Sequence, residues 1–251
     1  MDASALYKAG QLGPAIEALG LELRKQPGDA KRRTFLFELL CFAGEYDRAT
    51  KQLDVLASGG KDAESGAMLY RAALHAQRTR EEMFARNELP MQEAPIAPAG
   101  ECDGRAFTTF ADEDDRVGAN LEVFIAGSYT WIPFHYIERV DLQPPTRLRD
   151  LLWAPAILHT TKAFRLQDLG QVLLPVLAPL SWKHPDDAVR LGRESVWVED
   201  AVNGAIPAGQ KMFVADDDSL PLLQLRELLF HQPAPAGEVA DSVSATPNIE
   251  E

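Results

Sequence analysis

Apolar residues in the first ninety positions recur at helical spacing, and they do so twice in register. Ala9-Gly10, Leu12, Ala15 and Leu19 reappear 34 residues later as Ala43-Gly44, Tyr46, Ala49 and Leu53. The pattern predicts helix pairs in which a glycine ends one helix, an apolar residue opens the next, and a small alanine lets the two approach closely. Pro27 stops the second helix before another opens near Asp29. From Ala30 to Ala43 the apolar arc is interrupted only near Glu38, which predicts burial on more than one side. A third copy is degenerate: Met68 to Ala76 reads as helix, but Arg78 and Arg80 stand where a glycine and an aromatic residue would fall. A 34-residue period is that of tetratricopeptide helical arrays, whose usual product is a groove for a partner. Such arrays need about three repeats, so the rest of this chain is expected to cap the array.

After Leu89 the periodicity changes. Pro90, Pro95, Pro98 and Gly100 predict a linker laid along the surface. Leu121 to Ala126, Tyr129 to Phe134 and Ile137 to Leu142 are rich in β-branched and aromatic residues, and Gly127-Ser128 reads as a two-residue hairpin turn. Gln171 to Leu174, Ser195 to Glu199 and Lys211 to Val214 are further strand candidates. Thr146 to Leu152 and Asp186 to Leu191 read as short helices, and Leu220 to Phe230 as a closing one. The fold class is therefore multidomain: tetratricopeptide-like helical repeats over 1–89, a Pro/Gly-rich linker over 90–104, an α+β domain with a mainly antiparallel sheet over 105–231, and an acidic tail over 232–251 expected to be disordered.

Charge sharpens this picture. Residues 1–89 carry 13 Lys plus Arg against 13 Asp plus Glu, so the whole net charge of −13 resides in residues 90–251. Nucleic acid needs a basic face, and an anionic membrane surface is disfavoured for the same reason. No signal-peptide pattern and no apolar run long enough to span a bilayer occurs, so a cytoplasmic location is expected. Cys41 and Cys102 have neither disulfide density nor metal-ligand spacing and read as free thiols.

Several ordered motifs carry a family resemblance. They are Asp114-Asp115-Arg116-Val117-Gly118, Leu121-Glu122-Val123-Phe124, Gly127 to Phe134, and Pro144-Pro145 through Leu148-Arg149-Asp150-Leu151-Leu152-Trp153-Ala154-Pro155-Ala156. Val172 to Leu177, His184 to Arg193 and Gly209-Gln210-Lys211-Met212-Phe213 continue them. Together they resemble the ImpE family, also called TagJ or SciE-type proteins, over roughly residues 4 to 231. The resemblance implies a cytoplasmic accessory component of the bacterial type VI secretion system. Its implied partners are the small subunit of the contractile sheath and the sheath-recycling AAA+ ATPase.

Two surfaces are candidates for a partner. The first is the helix from Ala30 to Ala43, where Phe35, Leu39 and Phe42 would line a groove flanked by Arg32; packing against neighbouring helices is the competing reading. The second is the aromatic strand bearing Tyr129 and Trp131, which is either a docking patch or an inner sheet face. An enzymatic alternative is a cation-dependent hydrolase using Asp112-Glu113-Asp114-Asp115 and Asp216-Asp217-Asp218. Consecutive carboxylates cannot converge on one ion, and His135, His159 and His184 lack zinc spacing. No nucleophile elbow, Walker loop or dinucleotide fingerprint is present, so a non-enzymatic adaptor with no metal or cofactor is the preferred expectation.

Overall fold

The structure is a computed structural model describing residues 2–90, 96–164 and 169–231. The tail over 232–251, and residues 91–95 of the expected linker, lie outside the described residues.

Five helices come first: α1 (Ala3–Lys8), α2 (Leu12–Lys25), α3 (Ala30–Phe42), α4 (Tyr46–Ala57) and α5 (Lys61–Arg86). Gly10 and Gly44 both end a helix in the left-handed region, at φ 80° and 71°. In each case the next residue donates back across the turn, Gln11 N to Leu6 O at 3.0 Å and Glu45 N to Leu40 O at 2.9 Å, satisfying carbonyls that the helix leaves open. Ala15 and Ala49 are fully buried where the paired helices meet. The third repeat departs from the expected break: without a glycine at Arg78, α5 runs on to Arg86 and ends only at Asn87, φ 54°.

Thirteen strands follow among the described residues. β1 (Gly100–Cys102), β2 (Arg105–Phe107), β4 (Asn120–Ile125), β5 (Ser128–Pro133), β6 (Ile137–Leu142), β7 (Trp153–Thr160), β8 (Gly170–Pro175) and β13 (Glu227–Phe230) form an eight-stranded sheet. Its order is β2-β1-β13-β6-β7-β8-β4-β5, antiparallel throughout. β3 (Phe110–Asp112), β11 (Met212–Ala215) and β12 (Asp218–Pro221) make a small second sheet, while β9 (Ser195–Asp200) and β10 (Gly204–Gly209) form a separate two-stranded ribbon. A short helix, α6 (Asp187–Arg190), precedes the ribbon.

Alternation along β4 organises two cores. Leu121 and Val123 face a cluster with Phe107, Phe110, Phe134, Phe213 and Phe230, between the large sheet and β3–β11. Phe124 faces the other way, with Trp153, into a cluster built from the helices. Phe37 of α3 reaches this layer, its ring 6.4 Å from that of Trp153. Burying both faces explains why β4 reads as a nearly continuous apolar run.

Three local expectations are corrected. Leu220 to Phe230 does not close as a helix: Pro221 ends β12, one 3-10 turn follows, and Glu227–Phe230 becomes a strand between β1 and β6. Tertiary pairing on both edges outweighs the helical look of its leucines. Gly100–Cys102, counted in the linker, is likewise a sheet strand, and Cys102 is buried in it. The hairpin turn lies one residue earlier than expected, at Ala126-Gly127 with φ 48° and 86°, since Ser128 already pairs with Ile125.

Candidate partner-binding site at the helix and sheet junction

The continuation of α5 brings Arg80 onto the sheet. Its guanidinium, wholly buried, donates to both carboxylate oxygens of Glu122 on β4, Nε to Oε1 at 2.6 Å and Nη2 to Oε2 at 2.8 Å. Lys211 approaches Glu122 Oε2 at 2.6 Å and also pairs with Asp112 of β3. Burial alone would raise the Glu122 pKa, but Arg80 and Lys211 overcome it and hold this carboxyl well below the usual range. Burial raises Asp112 despite its lysine. Tyr129 donates its hydroxyl to Glu122 Oε1 at 2.6 Å, and Trp131 donates to Tyr129. A charged network enclosed in this way is costly to break from one side, because the remaining partner is left buried and uncompensated. It fastens α5 to three elements of the sheet domain.

A second set of contacts runs from the segment before the ribbon to the helix ends. Asp187 accepts from the Leu12 amide at 2.7 Å and so caps α2 from 175 residues away. Arg193 donates to the carbonyls of Tyr7 at 2.6 Å and Lys8 at 3.0 Å, closing the end of α1. Trp182 packs on Gly44, and Glu81 of α5 accepts from the Leu180 amide at 2.8 Å and Trp182 Nε1 at 3.2 Å. The missing part of the repeat array is thus supplied by the sheet domain.

Between α5 and the sheet lies a cleft of about 450 Å³, with Leu69, Tyr70 and Ala73 on one wall and Phe124, Pro155 and Leu173 on the other. Leu69 and its chain neighbour Met68 are 72% and 71% exposed, two large apolar side chains left uncovered on α5. The Ala126-Gly127 turn closes one end, where Gly127 comes so near α5 that a β-carbon would sit 3.3 Å from that of Ala72. Arg149 stands at the other end, its guanidinium 5.2 Å over the Tyr70 ring. Behind Arg149, burial pushes the Glu38 carboxyl up to about 7, with Arg149 opposing the shift. Concave, apolar and bounded by one cation, this cleft fits the apolar face of an amphipathic segment.

The residues expected to bind a partner fall into different environments. Leu39 and Phe42 are enclosed in the helical core, because α3 packs between α2 and α4 and also meets the sheet domain. Phe35 is half-buried, edge-on to Tyr7 with ring centroids 5.7 Å apart. Arg32 is tied to its own array through Glu22 at 2.9 Å, Gln26 at 2.7 Å and Asp29. Tyr129 and Trp131 belong to the Glu122 network, half-buried against α5. The cleft itself was not singled out in the sequence; an exposed Met68-Leu69 pair on a helix whose next turn carries alanines is the signal that would have found it.

Members of both acidic runs are engaged locally. Asp216 accepts from the Thr108 hydroxyl at 2.6 Å and from the Thr109 and Thr108 amides at 2.8 and 2.9 Å, which together lower its pKa to about 2. Asp114 holds Arg116 in a two-pronged pair at 2.8 and 2.7 Å, and Glu113 accepts from Ser219 at 3.0 Å. Among the described residues no group of three or more His, Cys, Asp or Glu side chains converges as a metal site. His184 accepts from the Asp186 amide at 3.1 Å, and Cys41 and Cys102 are both buried and free. Asp150, rather than pairing chiefly with Arg149, accepts from the Thr146 and Arg147 amides at 2.9 and 2.8 Å and so shapes the turn that leads into β7. No helix among the described residues is long and apolar enough to cross a membrane.

Comparison with known proteins agrees with this architecture. A family model described as ImpE protein matches residues 104–229. Across 264 aligned residues the chain is 32% identical to the type VI secretion system accessory component TagJ of Pseudomonas aeruginosa, covering 92% of this chain and 91% of that protein. The X-ray crystal structure of a Vibrio parahaemolyticus protein is similar in fold, with a TM-score of 0.81 at 22% identity, covering 92% of this chain and 98% of that one.

Proposed function

The chain belongs to the ImpE family, and on that footing we propose that it is a cytoplasmic, non-enzymatic accessory component of a type VI secretion system. In this reading it acts as an adaptor: an amphipathic segment of the small sheath subunit docks in the cleft between α5 and the sheet, and the adaptor links that subunit to the AAA+ ATPase that disassembles the sheath. The observation that carries the reading is the apolar cleft with the exposed Leu69 on its wall, at a junction fastened by Arg80, Glu122 and Lys211. A rigid cleft loses little entropy on binding, so modest apolar burial suffices for useful affinity. Asp112, Asp114 and Asp216 of the hydrolase alternative are already engaged by lysine, arginine and threonine, which favours the adaptor.

The test is calorimetric titration of the protein with the small sheath subunit and with its terminal helical peptides. Saturable binding, weakened at least tenfold by Leu69→Asp and unchanged by Leu21→Asp on the exposed side of α2, is the expected result. Leu69 lies on the surface, so Leu69→Asp is expected to leave the fold intact. Undiminished binding by the folded Leu69→Asp protein would reject the cleft; absence of binding by the wild type would reject the adaptor.

A further inference from the structure

The β9–β10 ribbon has one closed edge and one open edge. On β10, Gly209 turns its backbone away from β9: its amide donates to Ser181 Oγ at 2.9 Å and its carbonyl accepts from the Ala178 amide at 2.9 Å. Hydrogen-bonding direction alternates along an antiparallel strand, so Pro207, two residues back, also faces outward, where its missing N–H costs the ribbon nothing. Proline and the Gly209 bonds together block the outer edge of β10.

The same alternation fixes β9. Ser195, Trp197 and Glu199 are paired with Gly209, Pro207 and Ala205, so their amides and carbonyls point away from β10. Outside the ribbon's own ladder, no described residue bonds to the backbone of Trp197 or Glu199. Natural sheets shield such edges with lysine, proline or a covering loop. This edge instead carries Trp197, 55% exposed, with Val202, 74% exposed, at the ribbon's tip.

We infer that the outer edge of β9 is a strand-addition site for an extended segment of a partner protein in which basic and apolar residues alternate. Main-chain bonds to Trp197 and Glu199 supply the pairing, the Trp197 ring receives an apolar side chain, and the flanking charges choose the partner. Residues 194–209 contain Glu194, Glu199 and Asp200 and no Lys or Arg. That charge excludes two other occupants. A second copy paired antiparallel about Trp197 would set Glu194 against Asp200, and residues 232–251 of this chain carry four acidic residues and no basic one. The site is separate from the cleft at α5 and stands whether or not the sheath subunit binds there.

The probe is a ten-residue synthetic peptide alternating lysine with valine or threonine, titrated calorimetrically into the full chain while amide exchange is followed at Trp197 and Glu199. Binding is expected to be saturable, to protect both amides, and to fall at least tenfold in Trp197→Pro, whose melting temperature stays within a few degrees of wild type. A peptide with N-methylated alternate amides, or with glutamate for lysine, is expected not to bind. Glu199→Lys, which leaves the ribbon backbone unchanged, provides an independent check: it should weaken the lysine peptide and strengthen the glutamate one. Equal binding of the N-methylated peptide, no binding of the lysine peptide, or a dimer in sedimentation that Trp197→Pro abolishes would each overturn the proposal.

Discussion

Trp182 packs directly on Gly44, so closely that a β-carbon at the glycine would stand 2.3 Å from Cδ2 of the indole. Gly10, its counterpart one repeat earlier, would meet only the tip of Arg193, at 3.4 Å. Both glycines hold a left-handed conformation. The Gly10→Ala change is therefore expected to cost about 1 kcal/mol of backbone strain, and Gly44→Ala about 3 kcal/mol, since overpacking against a rigid ring is added to the same strain. Urea unfolding of the two variants measures the difference; equal losses would show that Trp182 can move aside.

Arg80→Met should destabilise the protein by about 3–5 kcal/mol, because Glu122 keeps only Lys211 as a buried counter-charge. The double variant Arg80→Met with Glu122→Leu should recover part of that loss, leaving Lys211 to Asp112. Denaturant midpoints of the single and double variants form the test, and strict additivity would show that the two side chains do not act as a pair.

Comparison of wild type with Glu38→Gln isolates the part of the pH dependence of stability that belongs to Glu38. Its folded pKa of about 7 lies above its ordinary value of 4.5, so between those values the native state holds a proton that the unfolded chain has released. Stability from this group accordingly falls as pH rises from about 4.5 to about 7, then levels off. The Glu38→Gln protein should match wild type near pH 4 and exceed it at pH 8 by on the order of 2 kcal/mol. Thermal melts at the two pH values decide it, and a constant offset would be the contrary result.

Asp187→Ala removes the cap that α2 borrows from the sheet domain and should cost about 1 kcal/mol. Asparagine at the same position, still an acceptor, should lose less. Hydrogen exchange at Leu12 and Gly13 should quicken in Asp187→Ala while exchange in the sheet stays unchanged.

Much of this architecture is legible in the sequence where local rules act alone. The 34-residue spacing marks the glycines and alanines of two helix pairs, and β-branched runs mark β4, β5 and β6. Legibility fails where distant elements decide. β13 is a strand because β1 and β6 offer it two edges, and nothing within Glu227–Phe230 announces them. Arg80 looked like a fault in the third repeat; its meaning depends on Glu122, 42 residues on. The motif His184 to Arg193 supported the family resemblance without a physical reason, which the structure supplies through Asp187 and Arg193 at the ends of α2 and α1. The residues of α3 show a pattern that sequence alone leaves open: an apolar arc broad enough for a groove is also what a helix buried on several sides requires.

The position of β13 also sets an order of events during synthesis. It is the last of the described strands, yet it lies between β1 and β6, so the sheet cannot close until the ribosome has released residues through Phe230. Until then the β1–β2 hairpin and the β6-β7-β8-β4-β5 block expose the two strand edges that β13 will join. Non-local closure of this kind is slow, and an unpaired edge on a nascent chain is where aberrant association begins. The helices, by contrast, are complete by Arg86 and can form early, but Asp187 and Arg193, which close the start of α2 and the end of α1, lie far downstream of them. Closure of the large sheet thus waits on Glu227–Phe230, the segment that follows all of its other strands.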